Sequence, residues 1–128
     1  MEFRETQPIY LQIADHVCEK VMLREWKPES RIPSVRELAI QLEVNPNTVM
    51  RTYEFLQQAG IVYNQRGVGL FLAAEAYAQA LEYRRAQFIE KEMPYFFRSM
   101  SLLQLEIGEL EIHYKKFKKV TPLKPAKP

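Results

Sequence analysis

The sequence predicts a mainly α-helical fold with one small β-hairpin: a helix-turn-helix, then the hairpin, then a two-helix extension. Three observations lead to this prediction. Two helix-start signals lie close together, at Ser34 and Asn45. A glycine-rich turn separates two short apolar runs after Gly60, and an alanine-rich stretch with a helical apolar stripe follows. We therefore divide the 128-residue chain into residues 1–72, a helical extension over residues 73–120 and a disordered tail over residues 121–128.

The first helix is predicted to run from Pro8, which suits a first helical turn, to about Arg24. Apolar side chains recur every four residues along it, at Ile9, Ile13, Val17 and Val21. This is the pattern of a helix that buries one face. Cys18 lies beside this stripe, so we expect it to pack in the core. A single cysteine cannot form an internal disulfide, which fits a reducing, cytoplasmic location.

The second and third helices form the predicted helix-turn-helix. Ser34 begins one of them through a capping box, since its hydroxyl can accept from the N–H three residues on while Glu37 reaches back. Asn45 begins the next, and Pro46 fits the first helical position, where the N–H has no helical partner. Only two residues, Glu43–Val44, connect the helices. Such a short connection indicates a helix-turn-helix whose second helix is free to enter a DNA major groove.

The third helix carries the functional prediction. Its core face is predicted to hold Val49, Tyr53 and Leu56. Its outward face holds Asn47, Arg51, Glu54 and Gln58, with Thr48 and Met50 on the flanks. The outward face is therefore polar at its N-terminal end, where a recognition helix contacts base edges. Asn can pair with adenine, Arg with guanine or a phosphate, and Thr or Met with a thymine methyl group.

The hairpin follows Gly60, which stands where a helix C-cap is expected. Two strands are predicted over Ile61–Tyr63 and Leu70–Leu72, joined by a turn over Asn64–Gly69. Arg66 lies beside Gly67 in that turn, so a cation and an unobstructed backbone are both available to a nucleic acid. We interpret this hairpin as the wing of a winged helix-turn-helix.

These motifs resemble a known family. The runs IPSVRELA, VNPNTV and GVGLF, with Arg51 and Tyr53 between the last two, resemble the winged helix-turn-helix of the GntR family of bacterial transcription regulators over roughly residues 8–72. The NPNTV version resembles its YtrA branch. The resemblance implies DNA-contacting positions at Ser34, Arg36, Asn45, Asn47, Thr48, Arg51, Arg66 and Gly67. It also implies a short strand over Ser30–Ile32 beside the wing.

Two departures from the family pattern bear on the prediction. Glu29 stands where the family usually has a glycine, so we expect the turn into the motif to differ in shape. Met50 falls where some relatives have an arginine, so the base preference of those relatives does not transfer. From the resemblance, we expect a homodimeric repressor on a palindromic DNA operator, in control of a transporter operon.

The extension is predicted to be one helix from Ala73 to about Leu103, bent at Pro94 because its apolar stripe continues without a gap. A new helix starting at Pro94 is the alternative. A last helix is predicted over Glu106–Phe117. The break before it, near Gln104–Leu105, rests mostly on the YtrA resemblance, and Gly108 is the alternative break.

The extension carries more apolar surface than two helices can bury between themselves. We therefore predict a homodimer interface formed by Tyr77, Leu81, Phe88, Phe96, Met100, Leu103 and Leu110. Two-fold pairing would place two recognition helices about 34 Å apart, as a palindromic operator requires. The alternative is that this stripe packs back on the winged unit of the same chain.

The net charge of the chain predicts only weak electrostatic attraction to DNA. Residues 1–72 contain eight Lys and Arg residues against nine Asp and Glu, a net charge of −1. The winged unit would have to present its arginines on one face while its acids point elsewhere. A winged-helix module that binds protein rather than DNA is the second hypothesis.

Other classes of function lack support in the sequence. Two scattered histidines, one cysteine and no phosphate-binding glycine loop indicate neither an enzyme nor a metal site. We expect no cofactor. The chain has no apolar run of membrane-spanning length and its N-terminus lacks the apolar core of a signal peptide, so we expect no membrane association.

Overall fold

The computed structural model describes residues 7–122. The helices are α1 (Ile9–Met22), α2 (Val35–Leu42), α3 (Pro46–Gln58), α4 (Ala76–Gln87), α5 (Met93–Leu102) and α6 (Ile107–Val120). The strands are β1 (Val62–Gln65) and β2 (Gly69–Leu72), which pair antiparallel. A π-helical turn over Phe88–Glu92 joins α4 to α5. The predicted mainly helical fold with one small hairpin is confirmed.

The hydrophobic core lies where α1 packs on α3 and α4, with α2 on the other side of α3. The predicted inner face of α1 is buried at Ile13, Val17 and Val21, whereas Ile9, in the first turn, is 56% exposed and the prediction is wrong there. Cys18 is buried beside this face, and burial raises the pKa of its thiol to about 12. Trp26 packs at the edge of this core. Ala76 and Ala80 are fully buried, so the first turns of α4 belong to the core of the winged unit.

The helix-turn-helix forms through the predicted caps. The Ser34 hydroxyl accepts from the N–H of Glu37 at 3.1 Å, and the Glu37 carboxylate accepts from the N–H of Ser34 at 2.8 Å. Asn45 Oδ1 accepts from the N–H of Asn47 at 2.7 Å, with Pro46 in the first turn. Glu43 adopts φ +55° and reverses the chain between the two helices.

The wing differs from its prediction at the tip. The strands reach Gln65 and Gly69, which pair with each other, so the turn contains only Arg66, Gly67 and Val68 rather than six residues. The N–H of Val68 donates to the carbonyl of Gln65 at 2.9 Å and closes this turn. The prediction ended the strands at the last apolar residues, because the polar and glycine residues at the tip are typical of turns. In the structure, cross-strand hydrogen bonds extend the hairpin beyond these apolar positions.

The segment before α2 lies against the wing as expected. Arg31 forms a bridge with Phe71, and the N–H of Ile32 donates to the carbonyl of Leu70 at 2.9 Å. Glu29, which stands at the family's glycine position, adopts φ +62°. Glu29 therefore has the left-handed backbone conformation that a glycine would adopt at this position. This conformation costs a residue with a Cβ roughly 1–2 kcal/mol.

The extension is a continuous helical run from α4 through the π-helical turn to α5, which confirms the single long helix over two separate ones. The N–H of Met93 reaches back to the carbonyl of Phe88. Pro94 lacks an N–H, and the wider turn just before it accommodates the missing bond. The chain then turns at Gln104, which has φ +58°, as predicted, while Gly108 lies inside α6. That helix ends at Val120, three residues later than expected.

The structure reaches into the beginning of the predicted tail. Thr121 and Pro122 are described and exposed, and the rest of the predicted disordered segment lies outside the described residues. None of the helices in the described part of the chain combines the length and apolarity needed to cross a lipid bilayer.

Candidate nucleic-acid interface

The inner face of α3 fixes how the helix sits in the winged unit. Val49 and Leu56 are fully buried, and Tyr53 is 1% exposed. The Tyr53 hydroxyl donates to the carbonyl of Pro33 at 2.8 Å, which ties α3 to the residue before the α2 cap. Burial raises the pKa of Tyr53, so this hydroxyl keeps its proton. The starts of α2 and α3 are thereby held in a fixed relation.

Thr52 is a buried residue of α3 whose role the sequence did not reveal. Its hydroxyl donates to the carbonyl oxygen of Tyr10 at 2.8 Å and lies 3.1 Å from that of Thr48. The bond to Tyr10 fastens the first turn of α1 to the middle of α3. Helix α3 is therefore anchored on two sides, by Tyr53 towards α2 and by Thr52 towards α1.

The outward face of α3 is polar and exposed at its N-terminal end, as predicted. Asn47 and Arg51 are exposed, Thr48 is half-buried and Met50 is 46% exposed. The guanidinium carbon of Arg51 lies 4.2 Å from the centroid of the Tyr10 ring. Asn45 differs from the others, because its side-chain oxygen is engaged as the cap of α3.

The start of α2 adds a second polar group. Ser34 uses an oxygen lone pair for its capping bond, which leaves the hydroxyl hydrogen available to donate. Arg36 is exposed on the first turn of α2. The positive end of the helix dipole and a cation therefore point outward together, an arrangement that favours an anion such as a DNA phosphate.

The tip of the wing supplies a third group. Arg66 and Gly67 are both exposed, and Gly67 has φ +79° with nothing within 4 Å of the position that a Cβ would occupy. The backbone conformation therefore requires this glycine, and the open space lets another molecule approach. Tyr63 and Phe71 stack on the outer face of the wing, with ring centroids 5.6 Å apart.

Arg31 is a candidate residue that the sequence analysis missed. It is exposed and lies across the outer face of the wing, where a Cβ on Gly69 would come within 2.9 Å of its Nε atom. Gly69 has φ +145°, so glycine is favoured there by conformation as well as by space. The predicted strand over Ser30–Ile32 could have identified Arg31. Successive side chains of a strand point to opposite faces, so Arg31 points outward where Ile32 points inward.

The charges of the winged unit are arranged more favourably than their sum of −1 indicates. Arg31, Arg36 and Arg66 are exposed and form no ion pair within residues 7–122. Three acids of the winged unit, in contrast, are engaged: Glu25 pairs with Lys20 at 3.0 Å, Asp15 pairs with Arg84 at 3.3 Å, and Glu37 accepts from the N–H of Ser34 in the cap of α2. The unpaired cations are thus free to neutralise phosphates.

The predicted site residues fall into three groups. The start of α2 carries Ser34 and Arg36, the first half of α3 carries Asn45, Asn47, Thr48 and Arg51, and the wing tip carries Arg66 and Gly67. None of the eight is buried. Exposed polar side chains at a helix-turn-helix and a wing can contact a major groove and the adjacent backbone or minor groove.

Comparison with known proteins points to one family. The family described as "Bacterial regulatory proteins, gntR family" matches residues 9–72. The chain is 48% identical over 75 residues to YhcF of Bacillus subtilis, an uncharacterized HTH-type transcriptional regulator, covering 59% of this chain and 62% of YhcF. It is 38% identical over 79 residues to the HTH-type transcriptional repressor YtrA of B. subtilis, covering 62% of this chain and 61% of YtrA.

Solved structures extend the similarity beyond the wing. A Bacteroides thetaiotaomicron protein described as a GntR-family transcriptional regulator is 44% identical, with a TM-score of 0.72, and the alignment covers 88% of this chain and 97% of that one. The DNA-binding domain of AraR in complex with operator ORR3 aligns with a TM-score of 0.51 and 27% identity over 57% of this chain and 86% of that one. The matches to YhcF and YtrA span about three fifths of those proteins' own lengths.

Proposed function

The chain belongs to the GntR family of bacterial regulatory proteins, in its YtrA-like branch, and on that premise we propose that it is a sequence-specific DNA-binding repressor of transcription. One observation carries this proposal. The N-terminal half of α3 exposes Asn47 and Arg51, and Arg36 on α2 and Arg66 in the wing are exposed without an ion pair in the described part of the chain.

Each residue type suits a part of a DNA duplex. Asn47 and Arg51 have the donors and acceptors to read adenine and guanine edges in the major groove. Ser34 and Arg36, at the start of α2, suit a backbone phosphate. Arg66 and Gly67 at the wing tip suit the minor groove. AraR, an aligned relative, is solved with operator DNA, and YtrA is a repressor, which supports DNA as the partner.

Selection of bound fragments from random DNA by the purified protein tests the proposal. We expect a single enriched motif, bound with an affinity that falls steeply between low and moderate salt. Because Arg36 is assigned to a phosphate, Arg36→Ala should weaken binding to a similar extent on all sequences and reduce the slope of affinity against salt by about 1. The absence of any enriched motif, together with salt-insensitive capture of a protein partner, would instead favour a winged-helix module that binds protein.

We further propose that the extension forms a two-fold dimer with a second copy of the chain. Thirteen of the eighteen exposed large apolar side chains in residues 7–122 lie beyond the wing. They include Leu81, Phe88, Phe96 and Leu103 from the predicted interface, and Leu110 is half-buried nearby. An apolar surface of this extent on a lone chain favours a partner that covers it.

Two residues of the predicted interface pack within their own chain instead of being exposed to a partner. Tyr77 is half-buried against the core of its own winged unit, with the guanidinium carbon of Arg24 lying 3.8 Å from its ring centroid. Met100 is 7% exposed at the corner between α5 and α6. The proposed interface therefore centres on the exposed side chains after Ala80, whereas the first turns of α4 pack on their own chain.

The mass of the protein in solution, measured by light scattering, tests the dimer. Leu103→Glu should shift the protein to monomer, since a charge would enter the apolar contact. Ile40→Glu is a matched control, because Ile40 and Leu103 are both 71% exposed but Ile40 lies on α2. A monomeric wild type, or equal effects of both variants, would contradict the proposal.

A two-fold dimer leads us to propose a palindromic operator, with half-sites about one helical turn apart. The enriched motif from the DNA selection decides this directly, because a dimer predicts an inverted repeat and a monomer predicts a single half-site. Control of a transporter operon is proposed from the family resemblance. Transcript levels in a strain that lacks the gene test it, with derepression of a neighbouring transporter as the expected result.

A further inference from the structure

We propose that Tyr10 is a positioning residue for Arg51, and that its ring holds the guanidinium flat so that the N–H groups point towards DNA. Tyr10 lies on α1, outside the helix-turn-helix. The proposal rests on the proposed function only in taking α3 as the helix that contacts DNA. It assigns to the first turn of α1 a part in recognition.

The geometry of the pair carries the proposal. The guanidinium carbon of Arg51 lies 4.2 Å from the Tyr10 ring centroid, within the range of a cation–π contact. Stacking uses the flat face of the guanidinium and leaves the five in-plane N–H donors unused. Those donors are the groups that bind a guanine edge or a phosphate.

Tyr10 is itself fixed from several sides. Its carbonyl accepts the Thr52 hydroxyl at 2.8 Å, and its ring meets Phe55 edge-on at a centroid distance of 6.5 Å. Phe55 in turn meets Tyr83 of α4 edge-on at 5.3 Å. A chain of aromatic contacts thus links α4, α3 and α1 beneath Arg51. The ring is a rigid support rather than a mobile surface side chain.

The stack takes the place of an ion pair that the sequence would favour. Glu54 lies three residues after Arg51 on the same helix, a spacing at which opposite charges commonly pair. Both side chains are exposed, yet they form no ion pair, and Arg51 lies over Tyr10 instead. Contact with Tyr10 therefore keeps the guanidinium available for an external anion.

Holding the side chain in place before binding also reduces the ordering that DNA must impose. A free arginine has many rotamers, and binding that freezes them loses affinity. An Arg51 side chain that is already ordered would lose less conformational entropy on binding, and it would present its N–H donors in one direction. The consequence is greater affinity and sharper discrimination at the base or phosphate that Arg51 contacts.

A double-mutant cycle in the full chain, measured as affinity for the DNA selected above, tests the proposal. Tyr10→Phe should bind within about two-fold of wild type, because the ring remains. Tyr10→Leu should weaken binding by about two- to five-fold, the range of an exposed cation–π contact. Tyr10→Leu should add no further loss in an Arg51→Ala background.

The control cycle pairs Tyr63→Leu with Arg51→Ala, since Tyr63 stacks on Phe71 in the wing rather than on Arg51. Its two effects should multiply. If the Tyr10→Leu and Arg51→Ala losses also multiply, or if Arg51→Ala binds as tightly as wild type, the proposal is overturned. Wild-type protein that selects no DNA would instead overturn the proposed function.

A second measurement needs no variant that could fail to fold. Protons above an aromatic ring are shielded, so the Arg51 side-chain NMR signals of wild-type protein should lie upfield of random-coil positions. Tyr10→Phe should retain this shift. Random-coil positions in the folded wild type would overturn the proposal, whatever its DNA affinity.

Discussion

In the winged unit, residues 9–72, most apolar side chains are turned inward, whereas in the helices beyond Ala80 most large apolar side chains are exposed. All buried residues of the described chain except Met100 lie at or before Ala80. The π-helical turn and α6 have no buried residue, and within residues 7–122 α6 makes no extensive contact with another helix or strand. One region buries most of its apolar surface within the chain, whereas the other leaves most of its apolar surface exposed in the described residues.

The two regions also differ in charge. Residues 1–72 sum to −1, and their exposed arginines include Arg36, Arg51 and Arg66 of the candidate DNA-contacting groups, while residues 73–128 sum to +3. A candidate DNA-contacting surface can thus carry exposed arginines even where the net charge of its region is slightly negative. The net charge summed over a sequence does not say which charged side chains are exposed, whereas the structure does.

The largest expected effect compares one leucine from each region. Leu56→Ala should lower the free energy of unfolding by about 2–5 kcal/mol, because Leu56 is fully buried and its removal leaves a cavity. Leu102→Ala should cost less than about 0.5 kcal/mol at high dilution, because Leu102 is 67% exposed. Urea unfolding of both variants measures the difference.

Repeating the unfolding measurement at several protein concentrations then distinguishes stability within one chain from stability that depends on a dimer. A loss at Leu102 that grows with concentration is expected if α5 is covered by a second copy, since unfolding is then coupled to dissociation. Equal losses for the two leucines at every concentration would contradict the comparison, because they would mean that α5 is buried within the chain.

The next effect concerns a polar contact inside the winged unit. Tyr53→Phe should cost about 1–3 kcal/mol, because it leaves the Pro33 carbonyl without the hydroxyl that now donates to it at 2.8 Å. Chemical unfolding measures the loss. Tyr63→Phe in the exposed wing is the control and should cost far less.

The same hydroxyl predicts a response to alkaline pH. Burial raises the pKa of Tyr53 above that of the unfolded chain, where tyrosine titrates near about 10. The folded state therefore holds this proton more tightly, and stability should fall as the pH rises above about 10. Tyr53→Phe should show a smaller fall over this range, and an unchanged profile would refute the assignment.

A smaller effect compares the helix ends. Four helices end in the same motif, with Arg24, Glu43, Gly60 or Gln104 in the left-handed conformation. At each one, the next N–H bonds the carbonyl five residues back at 2.9–3.0 Å.

Gly60→Ala should lose about 1 kcal/mol, because the left-handed backbone is strained for alanine while a Cβ would meet Gln79 only at an ordinary 3.7 Å. Gln104→Gly should gain a few tenths of a kcal/mol, the relieved strain being partly offset by the chain entropy of glycine. Thermal unfolding distinguishes the two directions, and a loss at Gln104→Gly would show that its backbone is not strained.

The smallest effect tests the charge arrangement. Arg31→Gln should reduce the slope of DNA affinity against salt by about 0.9, the loss of one phosphate contact, without altering stability. Lys20→Gln removes the same charge but from a pair with Glu25, so it should leave the slope nearly unchanged. Equal slopes for both variants would place Arg31 outside the DNA-contacting surface.

The sequence by itself determined the features that depend on neighbouring residues. The caps at Ser34 and Asn45 close within three residues, and the inner faces of α1 and α3 follow from a 3.6-residue period. The glycine end of α3 and the glycine at the wing tip follow from backbone conformation that few other residues adopt. Such features are local, so the sequence contains the whole of their physical cause.

Tertiary structure decided the rest, because its causes lie far apart in the chain. Arg24 takes a glycine-like conformation that its residue type does not predict, and its guanidinium lies over the Tyr77 ring of α4. Tyr10 and Arg51 are forty-one positions apart in sequence and meet only because α1 packs on α3. Arg31 lies over Gly69, thirty-eight positions away in sequence, and its backbone is bridged to Phe71. These contacts join segments that no local pattern connects.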